Sequence, residues 1–141
     1  MKKSINNSSL IIKLITFFML LIFNKISAQR PFFKSVPGAH WVSTDLHIHT
    51  VFSDGDVWPS IRVLESLMDN LDAISLTEHI EYQPHIGDIP HKDRNRSYQI
   101  AVKEAKDHNL IIVKGSEITR AMPPGHSNAI FIEDPNKLIV N

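Results

Sequence analysis

Between Trp41 and Ile132 the apolar positions fall into four short runs, and two stretches of helical period separate the first three of them. Trp41 to His49 alternates. In an extended strand Leu46 and Ile48 share one face and Asp45, His47 and His49 the other, so one side packs while the opposite side presents polar groups. Val51 to Pro59 connects this strand to a helix over Ser60 to Asn70, where Ile61, Leu64, Leu67 and Met68 recur at helical spacing and Ser60 is the candidate cap. Asp72 to Thr77 is a second strand built on Ala73, Ile74 and Leu76. The polar, proline-containing stretch from Glu81 to Arg96 is long for a plain connection, and such loops tend to be functional or disordered. Ser97 to His108 is expected to be a second helix with Ile100, Ala101, Ala105 and His108 on one face. Leu110 to Val113 forms a third, wholly apolar strand, and Asn128 to Ile132 a fourth.

Strand, helix, strand, helix, strand is the grammar of a parallel α/β domain whose apolar strands are covered by helices. In such folds the loops at the carboxyl ends of the strands build the active site. The chemically loaded residues fall at those ends: His47 and His49, then Glu78 and His79, then Glu117. Nothing comparable lies at the amino ends.

Ahead of this domain the pattern changes. Lys2 and Lys3 form a charged start, Leu14 to Phe23 is an apolar run broken only by Thr16, and Ile26-Ser27-Ala28 offers a small residue at a cleavage point. Residues 1–28 are therefore expected to be a signal peptide, residues 29–40 a linker, and residues 41–141 the folded domain, exported to the periplasm or the exterior. The competing reading is a retained anchor, but the stretch from Leu10 to Phe23 contains Lys13 and is shorter than the ~20 apolar residues a spanning helix needs.

Composition changes the picture in two ways. The 141 residues carry 15 basic and 15 acidic side chains, yet four of the lysines lie in the first 28 residues with no acid, leaving 11 basic against 15 acidic beyond them. That mildly acidic balance argues against broad binding of nucleic acid through its phosphates. With no cysteine, disulfides and cysteine lipidation are excluded, so the domain relies on its core and on any bound metal.

Asp45-Leu46-His47-Ile48-His49-Thr50, followed by Ser53-Asp54-Gly55, gathers metal-capable side chains within ten residues. The turn at Gly55 allows Asp54 to fold back toward the cation that the two strand imidazoles address. Thr77-Glu78-His79, Gly115-Ser116-Glu117 and Gly125-His126 add groups at later strand exits, the last behind Pro123 and Pro124. Mixed imidazole and carboxylate ligands suit Zn, Mn or Fe better than Mg or Ca. Close cations make a hydroxide nucleophile available near neutral pH and stabilise charge on phosphoryl oxygens. Arg94 and Arg96 in the long loop, with Arg120 after the third strand, are candidate forked donors to a substrate phosphate. His85 and His91 are secondary candidates, and His40 and His108 read as structural or exposed.

In this order, and over Thr44 to Ile132, the four motifs resemble those of the PHP family, named for polymerase and histidinol phosphatase. The strings Asp54-Gly55-Asp56-Val57-Trp58-Pro59 and Met122-Pro123-Pro124-Gly125-His126 look most like its exported phosphodiesterase branch. The resemblance implies a distorted β/α barrel with a di- or trinuclear metal site at its carboxyl-end mouth. It assigns His47 and His49 to a first metal, Asp54 and His79 to a second, Glu117 to a bridge and His126 to a third. Glu78 stands where the family commonly has Asp, and its role is open between support of a ligand and proton transfer; Asp45 is the second candidate for proton work.

The implied activity is hydrolysis of a small phosphate ester by a metal-activated water. Two other readings stand beside it: an amidohydrolase-like attack on a C–N bond, and a metal-holding domain without turnover. The family's late Asp-x-His pair has no counterpart after His126, and the chain holds about four strand units. The expectation is therefore the N-terminal portion of a longer barrel protein.

Overall fold

The computed structural model describes residues 7–23, 34 and 36–140. The candidate cleavage point at Ala28 and most of the expected linker lie outside the described residues. The chain divides into two units, Met1–His40 and Trp41–Asn141. The first contains helix α1, Asn7–Phe23. No helix among the described residues is long and apolar enough to cross a membrane.

The second unit is a mixed α/β fold around a curled, mostly parallel sheet. Its elements run β1 (Thr44–Ile48), α2 (Pro59–Met68), β2 (Ala73–Leu76), α3 (Arg96–Ala105), β3 (Ile111–Ile118), β4 (Ser127–Ile130) and a 3-10 turn, Pro135–Leu138. The strands lie in sequence order, β1-β2-β3-β4. The first three are parallel, Thr44 opposite Ala73 and Ala73 opposite Ile111. Strand β4 pairs antiparallel, with Gly115 opposite Ile130 and Glu117 opposite Asn128. Only eight residues, with no helix among them, separate β3 from β4, too few for a crossover back to the parallel sense.

Strand pleating sorts the sheet into two faces. Ile48, Ile74 and Leu76 pack with Val63 of α2 and with Ala101, Ala105 and Leu110. Leu76 is 1% exposed and Val63 and Ile74 are fully covered; burial of such side chains contributes about 1.5–3 kcal/mol each. On β2 the alternate positions Ala73 and Ser75 are small, and a methyl on Gly115 would come within 2.4 Å of Ser75 Oγ.

The two helices form where their periodicity places them; in α3 the expected Ala101 and Ala105 face inward, whereas α2 turns another stripe to the sheet. In α2 the buried residues are Pro59, Val63 and Ser66, with Leu67 packed against the core, while Ile61, Leu64 and Met68 are exposed. Two apolar stripes run along this helix, and spacing alone does not say which one meets a sheet. Trp58 occupies the cap position without a side-chain cap bond, and Pro59 takes the first turn, where its missing N–H costs nothing. In α3 the buried face is Ser97, Ala101 and Ala105; His108 lies beyond the helix and is exposed. Strand β3 runs past Val113, where the apolar run ends, to Ile118, so Gly115 and Glu117 sit within the strand and not just beyond its exit.

Candidate metal centre

At the carboxyl ends of β1, β2 and β3 the chain gathers imidazoles around one buried carboxylate. Glu117 is 2% exposed. Its Oε2 lies 2.9 Å from His47 Nε2 and 3.1 Å from His49 Nε2. Its Oε1 contacts His126 Nδ1 and lies 3.6 Å from His79 Nδ1. Asp54 completes the set, with Oδ1 3.3 Å from His49 Nδ1 and Oδ2 3.3 Å from His79 Nε2.

Backbone pairing sets this arrangement. His79 bridges Glu117 in the parallel sense, Glu117 N–H donates to Glu78 O at 2.9 Å, and Ile80 N–H donates to Glu117 O at 2.9 Å. The loop after β1 turns tightly: Ser53 N–H and Gly55 N–H both donate to Thr50 O at 3.0 Å. A methyl on Gly55 would lie 2.6 Å from the carbonyl carbon of His49, so only glycine lets the loop close over the strand end.

Three overlapping groups result, each of three residues whose donor atoms lie within 4.8 Å of one another: His47, His49 and Glu117; His49, Asp54 and His79; His79, Glu117 and His126. The six residues expected as metal ligands are thus brought together, with Glu117 in two groups as a bridging carboxylate would be. A carboxylate buried among four imidazoles, with a second carboxylate on two of them, is the donor set that borderline divalent cations take.

Charge in the centre is balanced by these contacts. Burial raises the cost of ionising Glu117, but the bond from His47, with His79, His49 and His126 around it, outweighs burial and holds the carboxyl below its usual range. His49 is held below the usual imidazole value by burial and then by His79, against the pull of Asp54, Glu78 and Glu117.

The two residues expected to handle protons lie elsewhere in the network. Glu78 is 5% exposed and its carboxylate accepts from Thr50 N–H at 3.1 Å, Thr50 Oγ1–H at 2.5 Å and Ser53 Oγ–H at 2.6 Å. Asp45 belongs to none of the three groups. A register irregularity in β1 falls between Asp45 and Ile48, and Asp45 Oδ1 accepts from the backbone N–H of His47 at 3.1 Å. Asp45 instead lines a cavity of about 380 Å³ with Ile48, Arg62, Glu65, Met68 and Leu71.

Each of the three candidate phosphate contacts already has a partner. Arg94 donates to Gln83, which donates to His79 O at 3.1 Å, and burial draws the Arg94 guanidinium below its usual pKa. Arg96 donates to Pro90 O at 3.0 Å and lies 5.1 Å over the Phe52 ring. Arg120 pairs with Glu81, whose other oxygen accepts from Thr119 N–H at 2.8 Å. Thr119 Oγ1 lies 2.6 Å from His79 Nδ1, which ties Arg120 to the edge of the centre. Thr50, Ser53 and Thr119 as partners of the centre went unread in the sequence; the available signal was their place within two positions of a metal-capable residue, Thr50 after His49, Ser53 before Asp54 and Thr119 after Glu117.

No protein-family model matches the chain. The crystal structure of a two-domain protein from Bacteroides vulgatus, containing a predicted PHP-like metal-dependent phosphoesterase, aligns over 82% of this chain with 51% identity and a TM-score of 0.72. A putative metal-dependent phosphoesterase from Bifidobacterium adolescentis aligns over 63% of this chain and 27% of its own length, with 22% identity and a TM-score of 0.47. An uncharacterized protein of Methanocaldococcus jannaschii is 31% identical over 81 residues, 56% of this chain. The chain spans 34% of the length of the Bacteroides protein and 34% of the Methanocaldococcus one. The family resemblance read from the motifs thus holds in sequence and fold together through the Bacteroides structure: the chain is similar to a predicted PHP-like metal-dependent phosphoesterase.

Proposed function

We propose that this PHP-like chain supplies the metal-binding part of a phosphoesterase that hydrolyses a small phosphate ester. The single observation carrying the reading is Glu117, buried at a strand end and within hydrogen-bond distance of His47, His49 and His126. His47, His49, Asp54, His79, Glu117 and His126 would hold divalent ions such as Zn, Mn or Fe. Bound there, such ions supply a nucleophilic hydroxide near neutral pH and offset charge on phosphoryl oxygens.

The remaining work falls to the chain itself. The strand ends fix the imidazoles on both sides of Glu117, so little reorganisation is needed when cations enter. Arg120 is the best placed of the three arginines to meet a phosphate, because Thr119 links it to His79 and its side chain is 40% exposed. Arg94 and Arg96 are turned to Gln83, Pro90 and Phe52 and would need to leave those partners. Glu78, which accepts three hydrogen bonds, supports the centre in this reading instead of transferring protons.

The test is elemental analysis of the purified chain after loading with Zn or Mn, with hydrolysis of a chromogenic phosphodiester by the longest available form of the protein. Expected are more than one tightly held ion per chain, and loss of both ions and turnover in His47→Ala and His49→Ala. A chain that retains no divalent ion sinks the reading. Retained metal with cleavage of amides and no phosphate ester would transfer it to C–N bond hydrolysis.

A further inference from the structure

Resting on the metal-site reading above, we infer that Glu78, acting through Ser53, fixes the tautomer of His49 and so decides which of two overlapping groups His49 serves. His49 stands both with His47 and Glu117 and with Asp54 and His79. A neutral imidazole has one protonated and one lone-pair nitrogen, so it addresses one cation at a time.

Ser53 Oγ lies 2.6 Å from Glu78 Oε2 and 3.1 Å from His49 Nδ1. A carboxylate only accepts, and a hydroxyl has a single proton. That proton goes to Glu78, so Ser53 Oγ can only accept from His49, and Nδ1 is the nitrogen that carries hydrogen. The lone pair is left on Nε2, which lies 3.0 Å from His47 Nε2 and 3.1 Å from Glu117 Oε2. His49 therefore serves the group with His47 and Glu117. Its Nδ1–H also faces Asp54 Oδ1 at 3.3 Å, which leaves Asp54 and His79 without an imidazole lone pair from His49.

The relay is anchored. Thr50 and Ser53 are fully buried. Thr50 donates to Glu78 from both its N–H and its hydroxyl, and its Oγ1 accepts from Phe52 N–H at 3.2 Å. To reverse the relay, Glu78 would have to give a proton to Ser53 from Oε2, the oxygen that Thr50 N–H already addresses. Glu78 and Ser53 are thus positioning residues, acting on a ligand and touching no substrate.

The experiment reads the His49 ring in the 15N-labelled, metal-free full chain, above about pH 7.5 where an ordinary imidazole is neutral. Multiple-bond 1H–15N spectra, with His49 assigned by its loss in His49→Gln, are expected to show protonated Nδ1 and bare Nε2. Ser53→Ala should raise the Nε2–H form, and Ser53→Thr, which keeps the hydroxyl, should restore the wild-type pattern. Glu78→Ala removes the acceptor of the Ser53 proton, frees that proton for His49 Nδ1 and should also raise the Nε2–H form. Zinc affinity is expected to fall about ten- to a hundredfold in Ser53→Ala. A wild-type His49 protonated on Nε2 overturns the inference whether or not any variant folds, and so does a spectrum unchanged in both Ser53→Ala and Glu78→Ala. The Nδ1–H form in a chain that binds no zinc upholds the relay and overturns the metal reading instead.

Discussion

Glu117 is the carboxylate that two groups share, as His49 and His79 are the shared imidazoles, with Oε2 toward His47 and His49 and Oε1 toward His79 and His126. Glu117→Gln replaces one of those oxygens by an amide nitrogen that cannot ligate. It is expected to lower metal content in more than one group, whereas His126→Ala removes an exposed imidazole from a single group. Elemental analysis of both variants checks this, and equal losses would remove Glu117 from its bridging place. The six metal-capable residues were legible in the sequence because strand periodicity and exit positions are local. The bonds that hold them were not: Glu78 meets Ser53 and Thr50 across 25 and 28 residues of chain, and Thr119 meets His79 across 40. No local pattern encodes such pairings.

The loop after β1 and the segment before α3 are the elements on which the centre depends. In the first, Gly55 lets the chain close on His49. Gly55→Ala puts a methyl 2.6 Å from backbone atoms that cannot swing away, at a cost of about 1–3 kcal/mol. Denaturant unfolding should show it, with weakened metal binding because Ser53 and Asp54 ride on the same loop; unchanged stability would mean the loop shifts freely. In the second, Asp93 accepts from Asn95 N–H, Asn95 Nδ2 and Asn136 Nδ2, clasping the start of α3 to the turn at Pro135–Leu138. Those bonds, led by Asn136, hold the Asp93 carboxyl down at about 2, from 3.8. A carboxyl depressed on folding adds stability above its unfolded pKa and loses it as pH falls through the folded one. Part of the stability should therefore vanish between about pH 4 and about pH 2, and melting of Asp93→Asn should lack that part. An identical acid slope in the variant would detach the clasp from the titration. The long polar loop from Glu81 to Arg96 thus has a structural share besides any substrate contact, which its composition alone did not separate.

At the scale of the whole molecule, export remains a proposal, supported by Lys2 and Lys3 ahead of the apolar helix Asn7–Phe23. Expression with a secretory host is expected to release a chain beginning near Gln29, read by N-terminal sequencing; an intact N-terminus on exported protein would favour the retained anchor. By itself, the sequence determined the order of strands and helices, the parallel sense of the first three strands and the six metal-capable candidates, because alternation, helical period and strand-exit position are properties of neighbouring residues. Tertiary structure alone decided the rest. It turned Val63 and not Ile61 or Leu64 inward, because that stripe of α2 meets the sheet. It extended β3 to bury Glu117 among imidazoles, because β2 and β4 pair along its length. It ran β4 antiparallel, because its connection is too short to cross over. And it drew Asp45 out of the cluster while setting Glu78 behind His49, because hydrogen-bond partners far apart in the chain meet only once the sheet has formed.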